Sequence, residues 1–467
     1  MKAASLIEDL ISVADIAKKD FAKSVSMSAS GLSRFLTGQQ FPSLTDHQSF
    51  SREAAKLLSS VIYEPKCHLR LTARFPCIYD FSSENDLMVF LSSAISYALE
   101  YDFAIDHQVD LHYGASELFY YTHRRVLNMT CIILSDLLHQ EKNETLEMFS
   151  AMPLLFGELP YSLSRIIFTN EHQQRIILNH SLNFEKASLS ESYVKMNNPF
   201  GKINQLEQDF DLCLWETNYH YKQVYLLLKN HCLLTYDSLP DGTPSLRIIR
   251  NKNYLLHFLQ FVKKCQIRKL SYNRDEVRQL LRNEPSLAMS LIKREPQALY
   301  SFIPLSYYLS PDETAGIEES QEQRELMHCF LAALMNTDAC FFPSGASIGE
   351  FARSGKTIVP FSGSLHISKE ERIKMMHRLV SRIGPQMLEK TKVIYTSMSN
   401  AAILCTKDLT LLYMISPDDS SEKIHLFFLP NVAEYLEQDF HNKQFRLLEY
   451  TPALWQSYID EIRNRLK

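Results

Sequence analysis

The segment Lys18 to Pro42, KKDFAKSVSMSASGLSRFLTGQQFP, constrains this chain more than any other, because it suits two short helices meeting at a sharp turn. Phe21, Ala22 and Val25 share one face of a first helix, and Met27, Leu32, Phe35 and Leu36 share one face of a second. The small Ala22 lets the second helix cross close to the first. Ser28 is placed as the N-cap of a helix running to about Thr37, since its hydroxyl can accept a free amide of the first turn. Gly38 supplies a left-handed residue that ends this helix, and Pro42 prevents an early restart.

Amphipathic segments flank the pair. Ser5 to Ile16 carries Leu6, Leu10 and Val13 on one face, and Phe50 to Ile62 carries Ala54, Leu57, Leu58 and Val61. With these flanks, residues 1–62 resemble the lambda-repressor-like helix-turn-helix family (Cro-type, xenobiotic response element) of bacterial and phage transcriptional regulators. The matching steps are Phe21-Ala22 on the scaffold helix and Gly38-Gln39-Gln40-Phe41-Pro42 after the recognition helix. The resemblance implies a five-helix domain that binds double-stranded DNA, and it extends no further along the chain. One residue departs from the pattern: Ser26 stands where many members of the family have glycine, and serine tolerates a positive φ less well.

A recognition helix in the major groove reads with its first turn and outward face. That rule puts Ser28, Ala29, Ser30, Ser33, Arg34 and Thr37 nearest the bases and phosphates. The Arg34 fork matches guanine O6 and N7 or a phosphate oxygen, and Gln39 and Gln40 can donate to the DNA backbone. The competing reading is an ordinary solvated helix face. The flanking helices and the Gly-to-Pro spacing favour DNA.

At 467 residues the chain is long enough for two or three domains. Its net charge of −5 would suit a nucleic-acid binder poorly if it were evenly spread. Residues 1–74, however, hold ten Lys and Arg against seven Asp and Glu, so the remainder carries −8. A weakly basic head on an acidic body fits a protein that touches a short stretch of duplex. Nine dispersed cysteines without a Cys-x-x-Cys pair argue for reduced thiols and a cytoplasmic protein. No apolar run approaches the ~20 residues that span a bilayer, so no membrane partner is expected.

Residues 63–81, with Pro65, Pro76 and an alternating His68-Leu69-Arg70-Leu71-Thr72 of strand character, read as a hinge. Helical periodicity is expected over 84–155, 203–236 and 253–309, with strands at Arg165 to Phe168 and Arg175 to Leu178 joined by a polar turn. The acidic, helix-breaking Ser310 to Thr314 marks the later boundary. Strands follow at Val393 to Tyr395, Ala402 to Cys405, Leu409 to Met414 and Ile424 to Phe428, and a helix runs from Pro452 to Leu466. The resulting expectation is a mainly α chain in three parts. A DNA-binding domain occupies 1–62, a mostly helical body with a few strands 63–309, and an α+β domain with a small antiparallel sheet 310–467, serving effector binding or dimerisation. No 34-residue repeat is visible.

Enzymatic signatures are missing. Gly349 to Thr357 has five residues between its glycines where a phosphate loop needs four, so it reads as a short helix ended by Gly355 and followed by a strand. Asp106, His107, Asp110 and His112 match no metal-ligand spacing, and no Gly-x-Ser-x-Gly elbow occurs. No catalytic residue, cofactor or metal is therefore assigned. The expected protein is a non-enzymatic, sequence-specific transcriptional regulator, a homodimer on double-stranded DNA with a small-molecule or peptide effector. The alternative is an effector enzyme or defence-type protein whose head only docks it to DNA or a partner.

Overall fold

The structure is a computed structural model of the chain. It describes residues 2–40, 42–43, 46–106, 117–140, 145–155, 161–169, 175–183, 199–218, 224–283, 296–304, 340–359, 363–382, 393–395, 400–407, 409–415, 421–428, 434, 436, 446–448 and 452–466. The expectation of a mainly α chain with a small antiparallel sheet is overturned. The protein is α+β, with one eight-stranded and one six-stranded sheet. The reason lies in burial. Val224–Leu228, which lies in the block expected to be helical over 203–236, is buried at every position but its first. A strand covered on both faces loses its polar alternation, and a short apolar run then reads equally well as helix.

Two compact units emerge. The first comprises 1–187, 205–212 and 217–267; the second comprises 188–204, 213–216 and 268–467. The first unit opens with helices α1 (Ala3–Ala14), α2 (Lys18–Ser24), α3 (Ala29–Leu36), α4 (His47–Ile62), α5 (His68–Leu71), α6 (Glu84–Asp106) and α7 (His123–Gln140). The alternation at 68–72 thus forms the single turn α5 and not a strand.

The eight-stranded sheet runs in the order Gln266–Lys269, Asp211–Thr217, Ile176–Leu182, Leu146–Ser150, Val224–Leu228, Cys232–Ser238, Pro244–Ile249, Glu117–Tyr121. Its last six strands belong to the first unit. Much of the helical block expected over 203–236 is therefore sheet. The two strands expected as neighbours at 165–178 separate: Ile166–Phe168 pairs with Cys77–Tyr79, and Ile176–Leu182 pairs with Leu146–Ser150. One sheet face carries Phe149, Tyr225, Leu227, Leu233 and Ile249 and is covered by the helix Lys252–Cys265 through Leu255, Phe258 and Val262. On the other face Tyr236 meets α7, its hydroxyl 3.1 Å from Thr130 Oγ1.

The second unit holds the six-stranded sheet, in the order Ser271–Asn273, Glu422–Phe427, Thr410–Ile415, Ala401–Thr406, Pro296–Ser301, Cys340–Pro343. Five of these strands repeat the pattern of the first unit. In each, the second strand in chain order lies parallel to the first, the third lies antiparallel on its other side, and the fourth and fifth extend a meander. The repeat is one of topology, which a search for a fixed sequence period does not detect. The glycine-rich Gly349 to Thr357 is a helix end and a strand: Gly345–Ser354 is helical, Gly355 closes it at φ 74°, and Lys356–Val359 pairs with Gly363–His366. Among the described residues no helix is long and apolar enough to cross a membrane.

Candidate nucleic-acid interface

The second, third and fourth helices meet at one phenylalanine. Phe50 of α4 lies with its ring centroid 6.4 Å from that of Phe21 on α2 and 5.5 Å from that of Phe35 on α3. Leu6, Ile7, Leu10 and Ile11 of α1, and Ala54, Leu58 and Ile62 of α4, are buried with them. Val61, expected inward, is 44% exposed, and its neighbour Ile62 takes the inner position. α4 also packs along α6, so the same helix that supports α2 and α3 rests on the next long helix of its unit.

The turn between α2 and α3 is set by hydrogen bonds. Met27 N–H donates to Ala22 O at 2.8 Å and Ser26 N–H to Lys23 O at 3.3 Å. This pair closes a helix with a left-handed residue at Ser26, whose φ is 57°. The same pair closes α3, where Gln39 N–H donates to Arg34 O at 2.8 Å and Gly38 N–H to Phe35 O at 2.9 Å, with Gly38 at φ 74°. One geometry is therefore filled once by glycine and once by serine.

Ser28 caps α3 as its sequence position implies. Its Oγ accepts from Gly31 N–H at 3.0 Å and lies 3.1 Å from Ser30 Oγ. Gly31 belongs to the construction of the site although sequence reasoning passed over it. A Cβ there would sit 3.1 Å from the capping oxygen. The signal was present as a glycine three residues after a capping serine.

All eight sequence-assigned residues, Ser28, Ala29, Ser30, Ser33, Arg34, Thr37, Gln39 and Gln40, are exposed. Gly31, Leu32 and Phe35 hold the opposite face of α3 inside. The eight differ in what they have left to offer. Thr37 Oγ1 donates back to Ser33 O at 3.0 Å and Arg34 O at 3.1 Å, so only its lone pairs and methyl group face outward. Arg34, on the last turn of α3, forms no ion pair among the described residues. The cation suits the negative end of the helix dipole while its fork stays available.

α1 lacks a side-chain cap of its own, and Asp102 of α6 provides one: Ala3 N–H donates to Asp102 Oδ2 at 2.7 Å. The residues from His107 to His112 that were weighed as metal ligands lie outside the described residues. Among the described residues no group of three His, Cys, Asp or Glu side chains is arranged to hold a metal ion.

No family model and no curated protein matches the chain. Among solved structures, the chain is matched by TrmBL2, an archaeal chromatin protein with a novel mode of DNA binding. The match has 9% identity and a TM-score of 0.21, covering 47% of this chain and 94% of that one. Likeness at that level leaves the family of this chain unassigned.

Proposed function

We propose that the chain is a sequence-specific DNA-binding transcriptional regulator that lays α3 in the major groove of duplex DNA. One observation carries the reading: the inner face of α3 is consumed by buried contacts, while Ser30, Ser33, Arg34, Gln39 and Gln40 stand exposed on one short helix and the loop after it. Arg34 is the principal reader, and a bidentate contact of that kind discriminates by about 1–3 kcal/mol. Ser28, Ala29 and Thr37 make the closer apolar and backbone contacts, and Gln39 and Gln40 reach phosphates.

A single reader of this size spans few base pairs, so the reading includes a homodimer on two half-sites about one helical turn apart. A small-molecule or peptide effector would act by binding the two spacings of the heads unequally. The protein then works in the compartment that holds the DNA, the cytoplasm of a bacterial cell.

The test is selection of bound fragments from genomic DNA by the full chain, followed by sequencing. A recurrent paired motif is expected. Arg34→Ala should lower affinity for it about tenfold or more and relax one base position. Absence of enrichment, or undiminished affinity of Arg34→Ala, ends the reading.

A further inference from the structure

Beside the loop that carries Gln39 and Gln40 sits a buried histidine that the DNA reading leaves without a role. His47 opens α4 and is 4% exposed. Its Nε2 lies 3.2 Å from the backbone oxygen of Pro42, in the connection from α3 to α4. A carbonyl can only accept, so the ring carries a proton on Nε2 and donates it to the loop. Nδ1 is buried too and has no hydrogen-bond partner among the described residues. The ring meets Phe103 of α6 edge to face, with centroids 6.3 Å apart and planes at 82°. His47 therefore touches α6 with its ring and the loop with its nitrogen.

Pro42 has no N–H, so its carbonyl is the one backbone group by which this residue can be tied. On the α3 side of it, Gln39 N–H closes the helix on Arg34 O at 2.8 Å. On the α4 side, Asp46 N–H donates to Ser43 O at 2.8 Å and Ser43 Oγ to Asp46 Oδ2 at 2.5 Å. The His47 bond lands between these two local ties and fastens the loop to the start of α4. Gln39 and Gln40 stand three and two residues before Pro42, and both are exposed. An exposed side chain has little packing to aim it, so the backbone beneath it sets where it reaches.

We propose that His47 is a positioning residue for DNA: by donating to Pro42 O it holds the loop after α3 where Gln39 and Gln40 meet the phosphates. The proposal rests on the reading of α3 given above and adds the residue that places its phosphate contacts, whereas Arg34 is placed by α3 itself.

Two carboxamide variants of the full chain differ in reach alone. His47→Gln carries a donor nitrogen about where the imidazole has Nε2, and His47→Asn falls one methylene short. Without DNA, His47→Asn should speed amide hydrogen exchange at Gln39 and Asp46 about threefold or more, the scale of one net hydrogen bond, and His47→Gln should stay within about twofold of wild type. Equal behaviour of the two variants overturns the clamp. Should His47→Asn fail to fold, the wild-type ring decides: nitrogen-edited NMR should show a slowly exchanging proton on Nε2, and a ring protonated on Nδ1 alone overturns the proposal. Phosphate ethylation interference on the enriched DNA motif is the second arm. His47→Asn should lose the interference at phosphates beside the end of α3, keep the base position read by Arg34, and add little to Gln39→Ala with Gln40→Ala. A loss spread evenly over the motif is what a merely structural role produces, and it overturns the positioning. A wild-type chain that enriches no motif removes the function proposed above, while the exchange arm still decides the clamp.

Discussion

The outward face of α3 and the underside of α6 are made of the same chemistry, hydroxyls, guanidinium groups and carboxamides or carboxylates, but they use it in opposite ways. Under α6, Tyr97 is bound to Asp136 and Arg250, and Asp102 to the α1 amide; nearby, Tyr79 OH donates to Asn128 Oδ1 at 2.7 Å. On α3, Ser33, Arg34, Gln39 and Gln40 face water. A buried polar group without a partner costs about 1–3 kcal/mol, whereas an exposed one costs nothing. The interior therefore favours pairing its polar groups, and the surface can keep them available. The eight residues assigned from sequence fall on the second kind of surface.

The contrast is most severely tested by removing what holds the α3 face in place. Phe50→Ala should destabilise the protein by about 3–5 kcal/mol, measured by urea unfolding, while Val61→Ala on the exposed side of the same helix should be near neutral. Equal effects would mean that Phe50 does not anchor the helices. A second test concerns a buried group that keeps one polar atom unused. His180 is 1% exposed, its Nδ1 has no hydrogen-bond partner among the described residues, and burial pushes its pKa down to about 4. Above the ordinary value near 6.5 both folded and unfolded states hold a neutral ring, and its contribution is complete. As pH falls from there towards 4 only the unfolded state takes up the proton, so stability declines by about 3 kcal/mol. Unfolding at pH 7, 5.5 and 4, compared with His180→Asn, reads this loss; identical slopes for the two proteins would refute it.

Two smaller effects sharpen the comparison at the ends of α2 and α3. Ser28→Ala removes the oxygen that accepts from Gly31 N–H and should cost about 1 kcal/mol in thermal unfolding. Ser26→Gly relieves a left-handed serine in the same closing geometry that Gly38 fills, and should stabilise by up to about 1 kcal/mol with DNA affinity unchanged. A loss of stability there would show that the serine side chain matters more than its backbone.

Much of the candidate site was legible because its determinants are local. The Ser28 cap, the Gly38 stop and the inward Phe21, Leu32 and Phe35 each follow from neighbours a few residues away, as does the helix ended by Gly355. The strands at 401–406, 410–415 and 422–427 fall close to where they were expected, but the eight-stranded sheet was not legible in the same way. Val224–Leu228 is short and apolar on both faces, and nothing within seven residues declares whether such a run will find strands or helices beside it. The strands at 166–168 and 176–182 were located, but their partners were not, since pairing with Cys77–Tyr79 and Leu146–Ser150 is decided by residues far away in sequence.

By itself, the amino-acid order determined where the short helices begin and end and which of their sides is polar, because caps, left-handed stops and helical periodicity act over one or two turns. Tertiary structure alone decided that Asp102 would cap a helix 99 residues away, that Arg250 would reach Tyr97, and that one five-strand pattern would be built twice. Those outcomes depend on burial. Only when distant segments exclude water together do a lone carboxylate, a phenol and an apolar run acquire the partners that define them.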